Sequence, residues 1–273
     1  MSAPVAARIR AFHALHASGC FVMPNPWDPG SARVLAGMGF KALATTSAGF
    51  AWTLGRRDND VPLELMLAHL TAIAAAVDLP VNADFEGGFA VEPDLVAMNV
   101  GRAVLTGIAG LSIEDSTGDA AAPLFDRALA VERIGAARTA IDASGTGALL
   151  TARSEGFIVG RPDLAETVAR LTAFAEAGAD CVYAPGIRSA EEIATVVEAV
   201  RPTPVNLLVH APFITMPEAA ALGVRRISIG GALARVAWAG VLETAREIAD
   251  HGTFNGLQHG APSADLNRRF SSS

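Results

Sequence analysis

Residues 81–115 read VNADFEGGFAVEPDLVAMNVGRAVLTGIAGLSIED. Two short apolar runs, 81–84 and 110–114, each end in an acidic residue. Between them the pair Pro93-Asp94 has the form of a helix start. Apolar residues then recur three and four apart, which predicts a helix over 94–106 that stops at Gly107. The runs are bounded by Gly, Pro or polar residues and are mostly apolar, as strands of a parallel sheet covered on both faces are. The stretch reads as strand, helix, strand, with an acid closing each strand.

The pattern continues in both directions. Further strands are expected at 20–24, 42–46, 148–152, 181–184, 205–209 and 226–229, and further helices at 63–77, 126–143, 163–177, 190–200 and 232–250. Eight such units in about 250 residues predict an α/β chain folded as a (β/α)8 TIM barrel in a single domain. The barrel is expected over 1–250, followed by a tail, 251–273, that is either disordered or carries a short helix at 264–270 packing on a neighbouring subunit. An open doubly wound sheet is the alternative. It usually has fewer strands and a Gly-rich first turn, whereas the turn here is Asn25-Pro26-Trp27-Asp28-Pro29-Gly30.

Composition narrows the function. Of 273 residues, 51% are apolar, enough for a sizeable core, and the net charge of −7 argues against nucleic-acid or anionic-membrane partners. No apolar run reaches the ~18 residues of a membrane span. The N-terminus lacks the layout of a signal peptide, so a cytoplasmic protein is expected. Cys20 and Cys181 give neither a disulfide framework nor a metal spacing. Lys41, the only lysine, stands at a strand start, which leaves almost no candidate for Schiff-base chemistry.

Barrels of this kind carry their chemistry at the C-terminal strand ends. Those ends supply Trp27, Ser47, Gly49, Asp84, Glu86, Glu114, Asp115, Arg153, Glu155, Tyr183, Asn206, His210, Ser228 and Gly230. Acids at the end of a buried strand are costly unless something positive sits on them. A hard divalent cation such as Mg²⁺, which takes oxygen ligands, is the obvious partner. The inventory holds no Ser-His-Asp arrangement and no zinc set. It suits a small anionic substrate held by a metal and an arginine, with an enolate stabilised by the metal as Lewis acid.

Seven segments occur in order at these strand ends: Asn25–Arg33, Thr46–Gly49, Leu54–Asp58, Val81–Gly88, Ser112–Asp115, Thr151–Phe157 and Val205–Val209. Together they resemble the isocitrate lyase/phosphoenolpyruvate mutase superfamily, over roughly 25–235. The resemblance implies a (β/α)8 barrel whose last helix is exchanged between subunits of a homodimer or homotetramer. It implies Mg²⁺ holding a 2-oxo acid or its enolate while a C–C or P–C bond beside it is made or broken. It also implies roles. Asp84 and Glu114 belong to the metal shell, with Glu86 in reserve. Ser47, Ala48 and Gly49 contact the substrate carboxylate, and Asp58 is the acid on the loop that follows. Arg153 binds substrate oxygens, Asn206 lines the pocket and Trp27 forms a wall.

The chain also departs from that pattern. The superfamily's paired aspartates read Asn82-Ala83-Asp84 here. The loop after the fourth strand, Ser116–Phe125, has no Cys, Lys or His, so isocitrate-type cleavage by the usual acid is not expected. It also lacks the mutase version of that loop, and the sixth strand runs into Tyr183-Ala184-Pro185-Gly186 with no His. The expectation is a Mg²⁺-dependent lyase or mutase acting next to a 2-oxo or 2-hydroxy carboxylate. The rivals are a metal-dependent pyruvate-type aldolase with His210 as base, and a barrel that binds an oxo acid without catalysis.

Overall fold

The acid-ended runs are strands. The computed structural model describes residues 2–270. Its first half runs α1 (Ala3–Ala17), β1 (Phe21–Met23), α2 (Pro29–Ala36), β2 (Leu43–Ala44), α3 (Ser47–Thr53), α4 (Leu63–Ala76), β3 (Val81–Asp84), α5 (Pro93–Val104) and β4 (Gly110–Glu114). There follow α6 (Arg127–Ser144), β5 (Leu149–Arg153), α7 (Leu164–Glu176), β6 (Cys181–Tyr183), α8 (Ala190–Ala199), β7 (Val205–Leu208), α9 (Met216–Ala221), β8 (Arg226–Ser228) and α10 (Ala232–His251). A 3-10 turn, Asn255–His259, leads to α11 (Ser263–Phe270).

The seven strand pairings of the sheet are parallel, and it runs β1-β8-β7-β6-β5-β4-β3-β2. The two end strands meet across a seam. There the Ala44 amide donates to the Pro24 carbonyl (3.1 Å), and the Asn25 side chain donates to the Thr45 carbonyl (2.8 Å) while accepting from the Ile229 amide (2.9 Å). The result is a nearly closed (β/α)8 barrel.

Helix starts follow local chemistry. The Asp28 and Ser31 side chains cap α2 reciprocally, and Ser189 with Glu192 does the same for α8. Thr46 caps α3 by accepting from the Gly49 amide, which is why β2 stops at Ala44 instead of running on to residue 46. Gly37 ends α2 in the right-handed region, and the left-handed turn that frees the chain for β2 falls on Gly39 (φ +86°). The sequence reading places no helix before the first strand, but α1 is there with a defined job. Its Ile9 and Phe12 pack against Phe21, Ala42, Ala109 and Leu149 and plug the N-terminal end of the barrel.

The main core lies between the strands and the ring of helices, around residues such as Leu43, Leu70, Phe85, Leu111, Phe174 and Val205. Inside the barrel, alternate residues point to the axis. They give the pairs Asn82/Asp84, Ser112/Glu114, Asn206/Leu208 and Arg226/Ser228, all lining one cavity. Helix α11 touches α2 of its own chain. The last three residues of the tail, 271–273, lie outside the described residues. Among the described residues no helix is long and apolar enough to cross a membrane.

Candidate active site

A cavity of about 530 Å³ opens at the C-terminal end of the barrel. Its anchor is Arg153, the last residue of β5. Arg153 Nη1 donates to Asp84 Oδ1 (2.7 Å), Nη2 lies 3.1 Å from Glu114 Oε2, and Nε donates to Glu155 Oε1 (2.9 Å). One guanidinium thus gathers the ends of β3, β4 and β5. Its plane lies over the Tyr183 ring at 5.1 Å from the centroid. Burial opposes the charge on Arg153, but Glu155, Glu114 and Asp84 outweigh it and hold its proton more firmly than usual.

A second hub is Ser47, the first residue of α3. Its amide (3.0 Å) and hydroxyl (2.9 Å) both donate to Asp84 Oδ2, and the hydroxyl also lies 3.0 Å from Asp58 Oδ1. Burial, reinforced by Asp84, raises the Asp58 carboxyl. Glu114 is raised chiefly by burial, against the opposing pull of Arg153, and accepts from Ser116 Oγ (2.8 Å). Glu155 is likewise pushed up by burial.

The acids outnumber the cations. Asp58, Asp84, Glu114, Asp119 and Glu155 line the cavity against Arg153 and Arg226. Glu86 stands behind this wall with Oε1 buried and unpartnered, and burial with Asp84 and Glu114 nearby pushes it to about 8. Asn82, also among the cavity-lining residues, has its Oδ1 buried without a partner. An all-oxygen wall with excess negative charge and two unsatisfied oxygens fits a hard divalent cation. Among the described residues, no three His, Cys, Asp or Glu side chains converge on one point as a ready-made cation cage. A cation there would take part of its shell from water or substrate, as Mg²⁺ commonly does.

The other nominated residues divide. Ser47, Ala48, Asp58, Asp84, Glu114, Arg153 and Asn206 all line the cavity. Gly49 is one step behind, its amide held by Thr46 Oγ1 (3.2 Å). A Cβ on it would stand 2.7 Å from Thr46 Cγ2 and 3.0 Å from Trp27 Cβ. Trp27 therefore backs α3 and is not among the cavity-lining residues. Asp115 is buried away from the cavity, accepting from the Glu155 amide (2.8 Å) and from Arg170 (3.1 Å). His210 also stands outside the lining. Its Nε2 lies 2.8 Å from Arg188 Nη2, and burial with Arg188 and Arg235 keeps it below its ordinary range.

Two further residues matter to which the sequence reading assigns no role. Glu155 completes the Arg153 fork, and its place two residues after an arginine at a strand end was the available signal. Arg226, 1% exposed, donates from Nε to Asn206 Oδ1 (2.9 Å) and from Nη2 to Thr151 Oγ1 (2.9 Å), with Nη1 3.3 Å from His16 Nε2. Its spacing of two from Ser228 puts both on the inner face of β8. Burial and the neighbouring guanidinium hold His16 near 3, so it stays neutral and accepts from Arg226.

The family model for phosphoenolpyruvate phosphomutase matches residues 12–249. A solved structure of a provisionally assigned lyase/mutase from Burkholderia cenocepacia J2315 is 47% identical, with a TM-score of 0.95 over 99% of this chain and 98% of that one. An oxaloacetate acetylhydrolase solved with its product oxalate is 30% identical, with a TM-score of 0.84 over 97% of this chain and 93% of that one. The oxaloacetate decarboxylase of Pseudomonas entomophila is 30% identical over 81% of this chain and 78% of its own length.

Proposed function

This chain belongs to the phosphoenolpyruvate phosphomutase family, and from that premise we propose that it is a Mg²⁺-dependent carbon–carbon lyase acting next to a 2-oxo or 2-hydroxy carboxylate. The observation that carries the reading is the Arg153 fork, which draws Asp84, Glu114 and Glu155 together at the wall of the cavity. Two of the relatives named above, both enzymes of oxaloacetate, support the kind of substrate. The loop Ser116–Phe125 and the His-free end of β6 lack the mutase residues, which favours C–C over P–C chemistry.

Asp84 and Glu114 would hold the metal, with Glu86 and the Asn82 amide oxygen as outer partners. Bound there, the cation would act as a Lewis acid toward negative charge developing on substrate oxygen. Arg153 would orient the substrate's oxygens, and Ser47 and Ala48 would meet its carboxylate. Asp58, raised above the ordinary carboxylate range and hydrogen-bonded to Ser47, is suited to keep and deliver a proton. Asn206 would fix the floor beneath.

The same reading includes a cytoplasmic homodimer or homotetramer, with a barrel over 1–250 and a tail over 251–273 that contributes to subunit contact. The outer face of α10 supports it, since Val236, Trp238, Val241 and Leu242 are exposed on a helix with one buried residue, Ala234.

The test is a panel of 2-oxo and 2-hydroxy acids assayed with Mg²⁺ for release of pyruvate, glyoxylate or oxalate. Turnover that is lost with a chelator and falls about 100-fold in Asp84→Ala is expected. Turnover unchanged in that variant would remove Asp84 from the metal shell. Binding of oxalate with Mg²⁺ and no turnover across the panel would favour a binding barrel instead.

A further inference from the structure

The cavity is divided by charge, and the division follows strand order. Every carboxylate in its lining comes from the β2–β5 side or the loops above it: Asp58, Asp84, Glu114, Asp119 and Glu155. The β6–β8 side contributes Tyr183, Pro185, Leu208 and Gly230 toward the mouth, and the loop after β5 adds Ile158 and Val159. The polar groups on this side are engaged with one another. Asn206 Nδ2 donates to Ser228 Oγ (2.9 Å), and the Tyr183 hydroxyl is also hydrogen-bonded to Ser228. Arg226, on the floor, has Nε, Nη1 and Nη2 directed to Asn206, His16 and Thr151. Arg188, His210 and Arg235 are near this rim but are absent from the lining.

From this we infer that the distal part of the substrate is uncharged and apolar, seated against Leu208, Ile158, Val159 and Pro185. The substrate has one carboxylate, at the metal end, and a hydrocarbon remainder. The inference rests on the proposed metal-and-arginine end of the site and extends it. A second carboxylate in that distal part would meet apolar side chains, and Arg226 on the floor is already engaged by Asn206, Thr151 and His16. Moderate-sized apolar ligands suit such a wall, and 530 Å³ falls in the range of sites for organic ligands larger than a three-carbon acid. This sets the chain apart from the two relatives whose substrate, oxaloacetate, is a dicarboxylate.

The experiment is calorimetric binding to the full chain with MgCl2, using four unreactive oxalyl compounds: oxalate, oxamate, N-isobutyloxamate and N-oxalylglycine. N-isobutyloxamate is expected to bind about 10–100-fold tighter than oxamate, the gain for burying a small hydrocarbon group. N-oxalylglycine, with its second carboxylate, is expected to bind more weakly than oxamate. In Leu208→Ser the ratio of N-isobutyloxamate to oxamate affinity should fall toward one, a comparison made within one variant. If N-oxalylglycine bound best, and lost that advantage in Arg188→Gln, the rim arginines would hold a second carboxylate and the inference would be overturned. Oxalate binding with no preference for the isobutyl group would also overturn it and leave the proposed function standing. Failure of oxalate itself to bind with Mg²⁺ would count against the proposed function first, and against this inference with it.

Discussion

Glu86 is held at φ +47°, in the left-handed region that side chains other than glycine rarely adopt, with a carboxylate oxygen buried and unpartnered. Its folded-state value of about 8 lies above the ordinary 4.5. Its contribution to stability is therefore fully present below pH 4.5 and is lost as pH rises through 8, at about 1.4 kcal/mol per unit between those limits. Glu86→Gln should remove that slope, so that in metal-free protein the variant gains on the parent as pH rises from 5 to 8. Paired urea titrations across that range check this, and parallel pH profiles would count against a buried, protonated Glu86. How much of the site was legible depended on the kind of residue. Strand-end acids and Arg153 could be read because charge where an apolar run stops has few purposes. Glu155 stood in the strand-end inventory without a role, and Arg226 was missed because its partners, Thr151 and His16, lie far off in sequence. Asp115 read as a site acid, whereas the loop that carries it turns it toward Arg170 on α7.

At the scale of elements, strand β4 shows how closely the sheet and α1 are fitted. A Cβ on Gly110 would stand 2.9 Å from the Leu149 carbonyl, 3.0 Å from Phe12 and 3.1 Å from Asn82 Oδ1. Gly110→Ala should destabilise the protein by ~1–3 kcal/mol, the usual cost of overpacking. The denaturation midpoint measures this, and a loss below half a kilocalorie would mean that α1 yields easily. The loop between β3 and α5 is braced similarly. Arg133 on α6 donates to the carbonyls of Gly87, Ala90 and Val91, and its guanidinium lies 4.0 Å above the Phe125 ring. Strands β3 and β4 matched their sequence reading, being apolar runs cut off by acids. The short β2 did not, because a capping threonine competed with the strand for the same residues. Helix α1 went unread since its burying face, Ile9, Phe12 and His16, includes a histidine whose burial depends on partners such as Arg226 and Phe21, far off in sequence or on another element.

Across the whole molecule, the outward face of α10 is the least satisfied surface. Val236 is 69% and Val241 57% exposed, with Trp238 and Leu242 beside them. If a second copy covers this face, as proposed, Val241→Glu with Trp238→Glu should convert an oligomer to monomer while leaving the barrel folded. Light scattering with circular dichroism would report both, and an unchanged oligomer would move the interface elsewhere. The eightfold alternation was legible because short apolar runs alternate with helical patterns throughout, several of them marked by a cap or a glycine stop. How the circle closes was not, since the β1–β2 seam depends on one backbone hydrogen bond and one asparagine. That seam has an architectural consequence. Seven joints of the barrel are strand ladders, and the eighth is fastened largely by a side chain, like a hoop with a clasp. In such a hoop the girth can change at the clasp alone, so descent can resize the mouth there while the acidic wall across β3, β4 and β5 keeps its spacing.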